Sequence, residues 1–278
     1  MVPELDSSAD LQVAPELKPG RGNASYSSAM RALSWLVVSL AAVSTPAIAT
    51  ESPVAELAAR LDALHARRDD PAALAEARRV ADSALARAPA AYDVLWRAAR
   101  VTFDESDLPN RSSDERSQLG KRAYDLAERA IAANPNGVAG QYWAALSIGQ
   151  YAQGIGVMRA LANGIEGKFR RPLERATALD EGYDHGSIPA VWAAYYLELP
   201  WPKRDRQKAA EQCRRALAIN PANLRARLYQ ARIAADEDRP AEAKALLNEI
   251  AAAPVGRYDA PEERRVKNEA ATLATKLK

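Results

Sequence analysis

A spaced set of small residues recurs along this 278-residue chain and constrains its fold more than any other feature. The set is counted from four anchor positions, which lie 46, 46 and 40 residues apart: Pro89, Pro135, Glu181 and Pro221. Alanine stands twelve residues before three anchors, five before all four and ten after three: Ala77, Ala84, Ala99, Ala123, Ala130, Ala145, Ala176, Ala209, Ala216 and Ala231. Phe169 and Val191 replace it in the third unit, which should pack differently. A recurring unit of this length predicts stacked helical hairpins.

Physical reasons support this interpretation. Two antiparallel helices approach closely only where side chains are small, and residues seven apart lie on nearly one face of a helix. Proline is tolerated in a first helical turn but stops a helix from running through it, so Asn134-Pro135 and Asn220-Pro221 predict junctions. The stretch 208–221 resembles the second helix of a tetratricopeptide repeat, although that repeat has a period of about 34 residues. The longer units here require extended connections or lengthened helices.

The chain is therefore expected to be all-α, a right-handed stack of tetratricopeptide-like helical hairpins (an α-solenoid) over residues 50–278. Its richness in Ala, Arg, Leu and Glu favours helix, and no convincing alternating run predicts a strand. We expect helices at about 51–68, 71–88, 92–101, 115–133, 138–153, 203–219, 222–236, 240–252 and 261–277. The last of these, which is highly charged, should cap the stack. Glycines in the middle of the chain should mark close helix contacts or loop hinges.

The first 49 residues form a separate segment. Met30-Arg31 precedes an apolar run over 32–43 and an Ala47-x-Ala49 end, which predicts a signal peptide at 30–49, cleavage after Ala49 and a periplasmic location. Residues 1–29 are expected to be a disordered, untranslated extension before a true start at Met30. An uncleaved anchor is the alternative. No cysteine follows the apolar run, so a lipoprotein is not expected, nor is a membrane span in the mature chain.

Composition and motifs argue against several functional classes. A formal net charge of +2 gives no electrostatic reason to expect a nucleic-acid partner. Cys213 is the single cysteine and is expected to be a buried, inert thiol. The metal-ligand spacings and nucleotide-binding loops of known sites are absent from the sequence, so no metal or cofactor is expected. An enzyme centred on His185 is the third functional class considered, but a solvated acidic turn explains that region as well.

The best functional lead is a concentration of aromatic residues, nine of the 17 in the chain, between positions 142 and 201. Tyr and Trp combine a large apolar body with a polar tip, and clefts between helices are common ligand sites. The predicted ligand- or partner-binding residues are Tyr142, Trp143, Tyr151, Tyr183, His185, Trp192, Tyr195, Tyr196 and Trp201. Four of them are expected to form a pocket wall: Trp192, Tyr195, Tyr196 and Trp201. Core packing between hairpins is the alternative.

Three segments of this middle region, residues 141–149, 173–183 and 199–205, together resemble the TatT component associated with tripartite ATP-independent periplasmic (TRAP) transporters. The resemblance implies an exported, non-enzymatic helical protein that engages a periplasmic solute-binding subunit and holds a small organic ligand. Two departures are the missing acylated cysteine and Glu181-Gly182, where a proline is common. The alternative function is a generic periplasmic tetratricopeptide scaffold for protein–protein assembly. Homo-oligomerisation is also left open.

Overall fold

A computed structural model describes residues 53–277. The predicted extension at 1–29 and signal peptide at 30–49 lie outside the described residues. The described part is helical throughout and contains no strand, which confirms the all-α prediction. Its helices are α1 (Pro53–His65), α2 (Pro71–Arg87), α3 (Tyr92–Ser106), α4 (Ser113–Ala133), α5 (Val138–Ile155), α6 (Val157–Ala162), α7 (Ile165–Asp180), α8 (Tyr183–Glu198), α9 (Arg206–Ile219), α10 (Leu224–Asp236), α11 (Pro240–Ala252) and α12 (Ala260–Ala274). Among these residues no helix is both long and apolar enough to cross a membrane.

The helices form a right-handed stack of antiparallel pairs. The pairs are α1 with α2, α3 with α4, α5 with α7, α8 with α9 and α10 with α11, and α12 covers the last pair. Each anchor lies between the second helix of one pair and the first helix of the next. Both expected causes of the long units occur, because α4 runs for 21 residues and the short helix α6 is inserted between α5 and α7.

The alanine pattern has the predicted structural role. All ten template alanines are buried, with at most 2% of their surface exposed. Eight of them belong to three successive hydrophobic clusters, which together extend from α1 to α12. The third unit differs, as predicted, since Phe169 and Val191 are only partly buried and line a cavity instead.

Glycines bring two helix backbones still closer together in the second and third pairs. A Cβ atom at Gly120 of α4 would lie 2.5 Å from the backbone nitrogen of Tyr151, and one at Gly154 of α5 would lie 2.6 Å from that of Ser117. Helices α4 and α5 can therefore pack at this distance only without these side-chain atoms. The expected close contact at Gly154 is confirmed, whereas Gly167 has nothing within 4 Å of such an atom.

Polar caps define where several helices begin. Asp70 accepts a hydrogen bond from the backbone nitrogen of Ala72 at the start of α2, as its position before Pro71 predicts. Asp205 caps α9 through the backbone nitrogen of Lys208, so this helix begins at Arg206 and not at the predicted residue 203. The template predicts the junction at Glu181 between α7 and α8, but the bounds of α6, α7 and α8 were not predicted, because glycines and prolines obscure the helical period there.

The two ends of the stack meet. Arg68, just after α1, donates two hydrogen bonds to the carboxylate of Asp259, at 2.8 and 2.7 Å. Two arginines of α12 make further ion pairs: Arg264 with Asp69 at 2.6 Å, and Arg265 with Asp107. These contacts join residues more than 150 positions apart in the sequence and close the superhelix into a ring. The prediction that the charged last helix caps the stack therefore needs an addition, since side chains of α12 also reach the loops after α1 and α3.

The first prediction concerns the glycine contact. We expect Gly120→Ala to lower the free energy of unfolding by about 1–3 kcal/mol, because the new methyl group would press on the backbone of α5. The matched control is Gly167→Ala, inside α7 with open space around it, which should raise stability by about 0.5–1 kcal/mol through helix propensity. Denaturant unfolding followed by circular dichroism measures both, and equal effects would contradict the close packing of α4 on α5.

The second prediction concerns ring closure. Arg68→Met leaves the largely buried carboxylate of Asp259 without its cation, so we expect a loss of about 1–3 kcal/mol and faster amide exchange in α12. The control is Arg79→Met, which removes a solvent-exposed pair with Glu76 on the outer surface and should change stability by less than about 0.5 kcal/mol. If α12 exchanged at the same rate in both variants, these ion pairs would not hold the ring closed.

Candidate functional site

The curved stack surrounds an open cavity of about 1230 Å³, which we call the lumen. Its wall comes mainly from the first helix of each pair, with contributions from α6, α7 and α12. The first helices face inward because their other sides pack on the second helices through the template alanines. The volume exceeds the roughly 300–1,000 Å³ of ordinary small-molecule sites, so the lumen has room for a ligand together with water.

Aromatic rings form two sets of contacts in the wall of the lumen. Trp143 of α5 makes edge contacts with Tyr142 at 5.1 Å and with Phe103 at 5.4 Å between ring centroids. Phe169 of α7 stacks on Tyr195 of α8, with centroids 5.2 Å apart and planes 13° from parallel. These pairs hold the wall rigid, since each ring is positioned by its neighbours.

The nine residues predicted from the sequence lie in three different environments. Three of them line the lumen: Tyr142, Trp143 and Tyr195. Behind them lie Tyr183, which packs on Tyr142, and Trp192, which contacts both Tyr195 and Tyr196. Trp192 donates a hydrogen bond to Thr177 Oγ1 at 3.0 Å and is only 8% exposed. Both interpretations of the aromatic residues therefore apply in part. One layer of rings faces the cavity, and a second layer packs in the hydrophobic core between the helices.

The expected wall of Trp192, Tyr195, Tyr196 and Trp201 is wrong in most of its members, since only Tyr195 lines the lumen. Trp201 is 89% exposed, because it stands in the turn after α8, beyond the last helical residue, where no helix covers its ring. Tyr151 and Tyr196 are partly buried against the hydrophobic core. His185 lies outside the wall, with its ring 5.7 Å from that of Tyr258.

Charged side chains form the rest of the wall and mostly neutralise one another. Arg225 of α10 binds two carboxylates of α12, Glu262 at 2.7 Å and Glu269 at 2.5 Å. Burial opposes the charge on Glu262, but Arg225 and Arg265 outweigh it and lower the pKa of that carboxyl. Arg232 pairs with Glu198 at 2.8 Å on the same side of the lumen. Such paired groups are held in place and are not free to recognise a ligand.

One aromatic residue of the wall is joined to this network. The hydroxyl of Tyr195 donates a hydrogen bond to Glu166 at 2.6 Å, and Lys203 contacts the same carboxylate at 2.5 Å. The hydrogen bonds from Lys203 and Tyr195 lower the pKa of Glu166, while burial and this anion raise the pKa of Tyr195. The tyrosine is therefore neutral and fixed in orientation at physiological pH.

Asp184 occupies an unusual turn at the start of α8. Three consecutive residues, Asp184, His185 and Gly186, have left-handed backbone angles, with φ of 52°, 60° and 80°. Asn223, which is 2% exposed, donates its side-chain amide to the carbonyl oxygens of His185 at 3.2 Å and Gly186 at 3.4 Å. Asn220 donates to the His185 carbonyl at 3.3 Å. These bonds stabilise a conformation that costs on the order of 1–3 kcal/mol at each non-glycine residue.

Sequence reasoning missed the charged part of the wall. Arg68, Asp107, Asp259 and Arg265 meet only through ring closure, and no local spacing could have brought them together. Cys213 is buried as predicted, and burial raises the pKa of its thiol to about 12, so it is unreactive. In the described part of the chain, no group of three or more His, Cys, Asp or Glu residues is placed to hold a metal ion. The arrangement is suited to binding.

Comparison with known structures supports the fold. A thermophilic tetratricopeptide-repeat (TPR) protein of Thermus thermophilus superposes with a TM-score of 0.56 at 19% identity, over 79% of this chain and 96% of that one. At this identity the similarity shows the fold alone. It establishes that the stack is a tetratricopeptide-like helical solenoid.

Sequence comparison gives the family. Regulator of microtubule dynamics protein 1 of Bos taurus is 29% identical over 114 residues, which are 40% of this chain and 35% of that protein. The Mus musculus protein of the same name is 31% identical over 115 residues, 40% of this chain and 36% of that protein. The chain thus spans about a third of the length of these relatives. The family model described as regulator of microtubule dynamics protein 1-3 matches residues 57–205, more than half of the 278. The protein therefore belongs to the family of regulators of microtubule dynamics proteins 1–3.

Proposed function

We propose that the protein is a non-enzymatic binding module that holds a small organic ligand in its lumen and engages a protein partner. The observation that carries this proposal is the closed ring of first helices around a cavity of about 1230 Å³. A cavity with fixed aromatic rings and mutually paired charges is pre-organised, which lowers the entropic cost of binding. The outer surface of the helices in residues 53–277 offers a face for a protein partner.

The more specific role we propose is that of an accessory component of a TRAP-type solute transporter, with the periplasmic solute-binding subunit as partner. Two observations support it. The resemblance to TatT rests on segments 141–149, 173–183 and 199–205, and the first of these contributes Tyr142 and Trp143 to the lumen. The signal-peptide pattern at 30–49 is consistent with export to the same compartment.

The third prediction tests this role by affinity purification of the full chain from its native cell envelope. We expect a solute-binding subunit to co-purify, and the purified chain to begin at Thr50 by N-terminal sequencing. Native mass spectrometry should detect a bound small molecule in the wild type and in Trp201→Ala, whose ring is in solvent, but not in Tyr195→Ala, whose ring lines the lumen.

Three outcomes would count against the transporter role. Recovery of envelope-assembly proteins alone would favour the generic scaffold. A chain that still begins at Met1 would contradict export by the predicted signal peptide. Equal retention of the small molecule in both tyrosine and tryptophan variants would place its site outside the lumen.

A second candidate function, the regulation of microtubules, is favoured by the family match over residues 57–205. The printed name of the relatives describes an action on microtubule dynamics, and those proteins are about three times as long as the region they share with this chain. Under this candidate the helical stack would be the part that contacts the polymer or another regulator.

The fourth prediction separates the two candidates by co-sedimentation with polymerised tubulin. The transporter role predicts that the chain stays in the supernatant at physiological ionic strength, since a net charge of +2 gives little non-specific attraction to an acidic polymer. Saturable pelleting that persists at raised salt would instead support the microtubule role. Bos taurus regulator of microtubule dynamics protein 1 is the reference for the assay.

A further inference from the structure

We propose that the lumen recognises an organic ammonium ion, with the carboxylate of Asp184 as counter-ion and the surrounding aromatic rings as the walls of its site. This inference rests on the proposed function, because it names the chemical class of the ligand that the lumen holds. Four observations lead to it: the charge balance of the wall, the unpaired state of one carboxylate, the rings beside that carboxylate and the strained turn that presents it.

The wall of the lumen carries more acidic than basic groups. Nine carboxylates line it, against six arginines and Lys276. Lys203, which is outside this wall, pairs with Glu166, so the wall carries only a small excess of negative charge, although the whole chain is slightly positive. Such an excess favours a cation over an anion at the carboxylate that has no partner.

Asp184 is the one of these nine carboxylates that has no cationic side chain within 4.0 Å among residues 53–277. The other eight each pair with an arginine or a lysine. The carboxylate of Asp184 accepts one long hydrogen bond from another side chain, from the Tyr142 hydroxyl to Oδ2 at 3.5 Å. A carboxylate that the protein leaves unpaired, beside a network in which every other one is neutralised, is available to a positively charged ligand.

The neighbours of Asp184 supply the surfaces that an ammonium ion prefers. Tyr142 lies on one side, packed edge-on against Trp143 and Tyr183 at 5.1 and 5.2 Å. The ring of the next residue, His185, lies 5.7 Å from the ring of Tyr258, which also lines the lumen. Tyr142 is only 4% exposed and offers its hydroxyl, whereas the partly exposed ring of Tyr258 can offer a face. Such a face attracts an organic cation by about 0.5–2 kcal/mol and also accepts the apolar part of the molecule.

The backbone conformation that positions Asp184 is energetically unfavourable by itself. Three left-handed residues in succession are strained, and the buried Asn223 stabilises them by hydrogen bonds to two of their carbonyl oxygens. Asn223 is also the N-cap of α10, where it accepts from the backbone nitrogen of Ala226 at 3.0 Å. The turn is therefore built into the start of the next helix pair, and strain of this kind concentrates at binding sites.

The fifth prediction uses three probes of similar shape and different charge: 2-phenylethylammonium, neutral 2-phenylethanol and anionic 3-phenylpropanoate. Isothermal titration calorimetry of the full chain should show saturable binding of the ammonium probe, with the neutral probe weaker by about tenfold or more and the anion weakest. Asp184→Asn should weaken ammonium binding by about tenfold or more and leave the neutral probe unchanged.

A matched control is available in Asp238→Asn. Asp238 is also exposed and left-handed, with φ of 56°, but it does not line the lumen. Asparagine tolerates this conformation as well as aspartate does, so both variants should fold, which circular dichroism verifies. We expect Asp238→Asn to bind the ammonium probe within about twofold of the wild type.

Three results would overturn the inference: no binding of the ammonium probe, equal affinity for the neutral probe, or equal affinity of Asp184→Asn and wild type. Tighter binding of the neutral or the anionic probe would also overturn the inference. If Tyr195→Ala weakened that binding, the lumen would still be the ligand site of the proposed function. The proposed function itself fails separately, in the purification and native mass spectrometry described above.

Discussion

Close approach of helix backbones is the constraint on which the rest of the structure depends. Buried alanine and glycine contribute little apolar area themselves, about 0.8 kcal/mol for each buried methyl group. Their effect is indirect, since they let neighbouring helices come near enough for leucine, isoleucine, tryptophan and tyrosine to interdigitate. A larger side chain at Gly120 or Ala130 would separate two whole helices and remove contacts along their length. Small volume at fixed positions therefore has a stabilising effect far from those positions.

The same constraint determines where a cavity can form. Alanine at the template positions keeps a pair tight, whereas Phe169 and Val191 in the third unit hold it open and turn their surfaces to the lumen. The inserted helix α6 adds to the wall at this point. Closure then uses another kind of interaction. In the described part, α12 packs on α10 and α11 and reaches the first turns of the chain through side chains. Ion pairs that are partly solvated contribute modestly, so the seam of the ring is its least stable contact.

Much of the fold could be predicted from the sequence because its determinants are local. The alanine spacing predicts the hairpin stack, and the junctions at Pro89, Pro135 and Pro221 lie where the helices change. The boundaries of α7 and α8 could not be predicted, since Pro172 lies inside α7 and left-handed residues at 184–186 interrupt α8 just before Pro189. Local rules fail at Pro172 because tertiary packing decides whether a helix continues through a proline.

The site was only partly predictable, for a related reason. Residue type identified Tyr142, Trp143 and Tyr195, since aromatic residues crowded between helices commonly line cavities. It could not distinguish them from Trp192, whose ring lies one layer deeper, because both positions fit a helical face. Which side of α8 faces the lumen depends on the curvature of the whole ring. The pairing of Arg68 with Asp259 depends on ring closure, across 191 residues of sequence.

The departure from the repeat pattern and the unusual geometry of the site occur at one place. At the other three anchors a proline stands at the junction, but the third anchor is Glu181, followed by Gly182. The chain then enters α8 through the left-handed residues 184–186, which place Asp184 in the wall of the lumen. The proline at the following anchor, Pro221, is flanked by Asn220 and Asn223, whose amides stabilise that turn. The irregular turn after Glu181 is thus stabilised by side chains from the regular junction at Pro221. Such local departures from a repeat pattern are expected at binding sites.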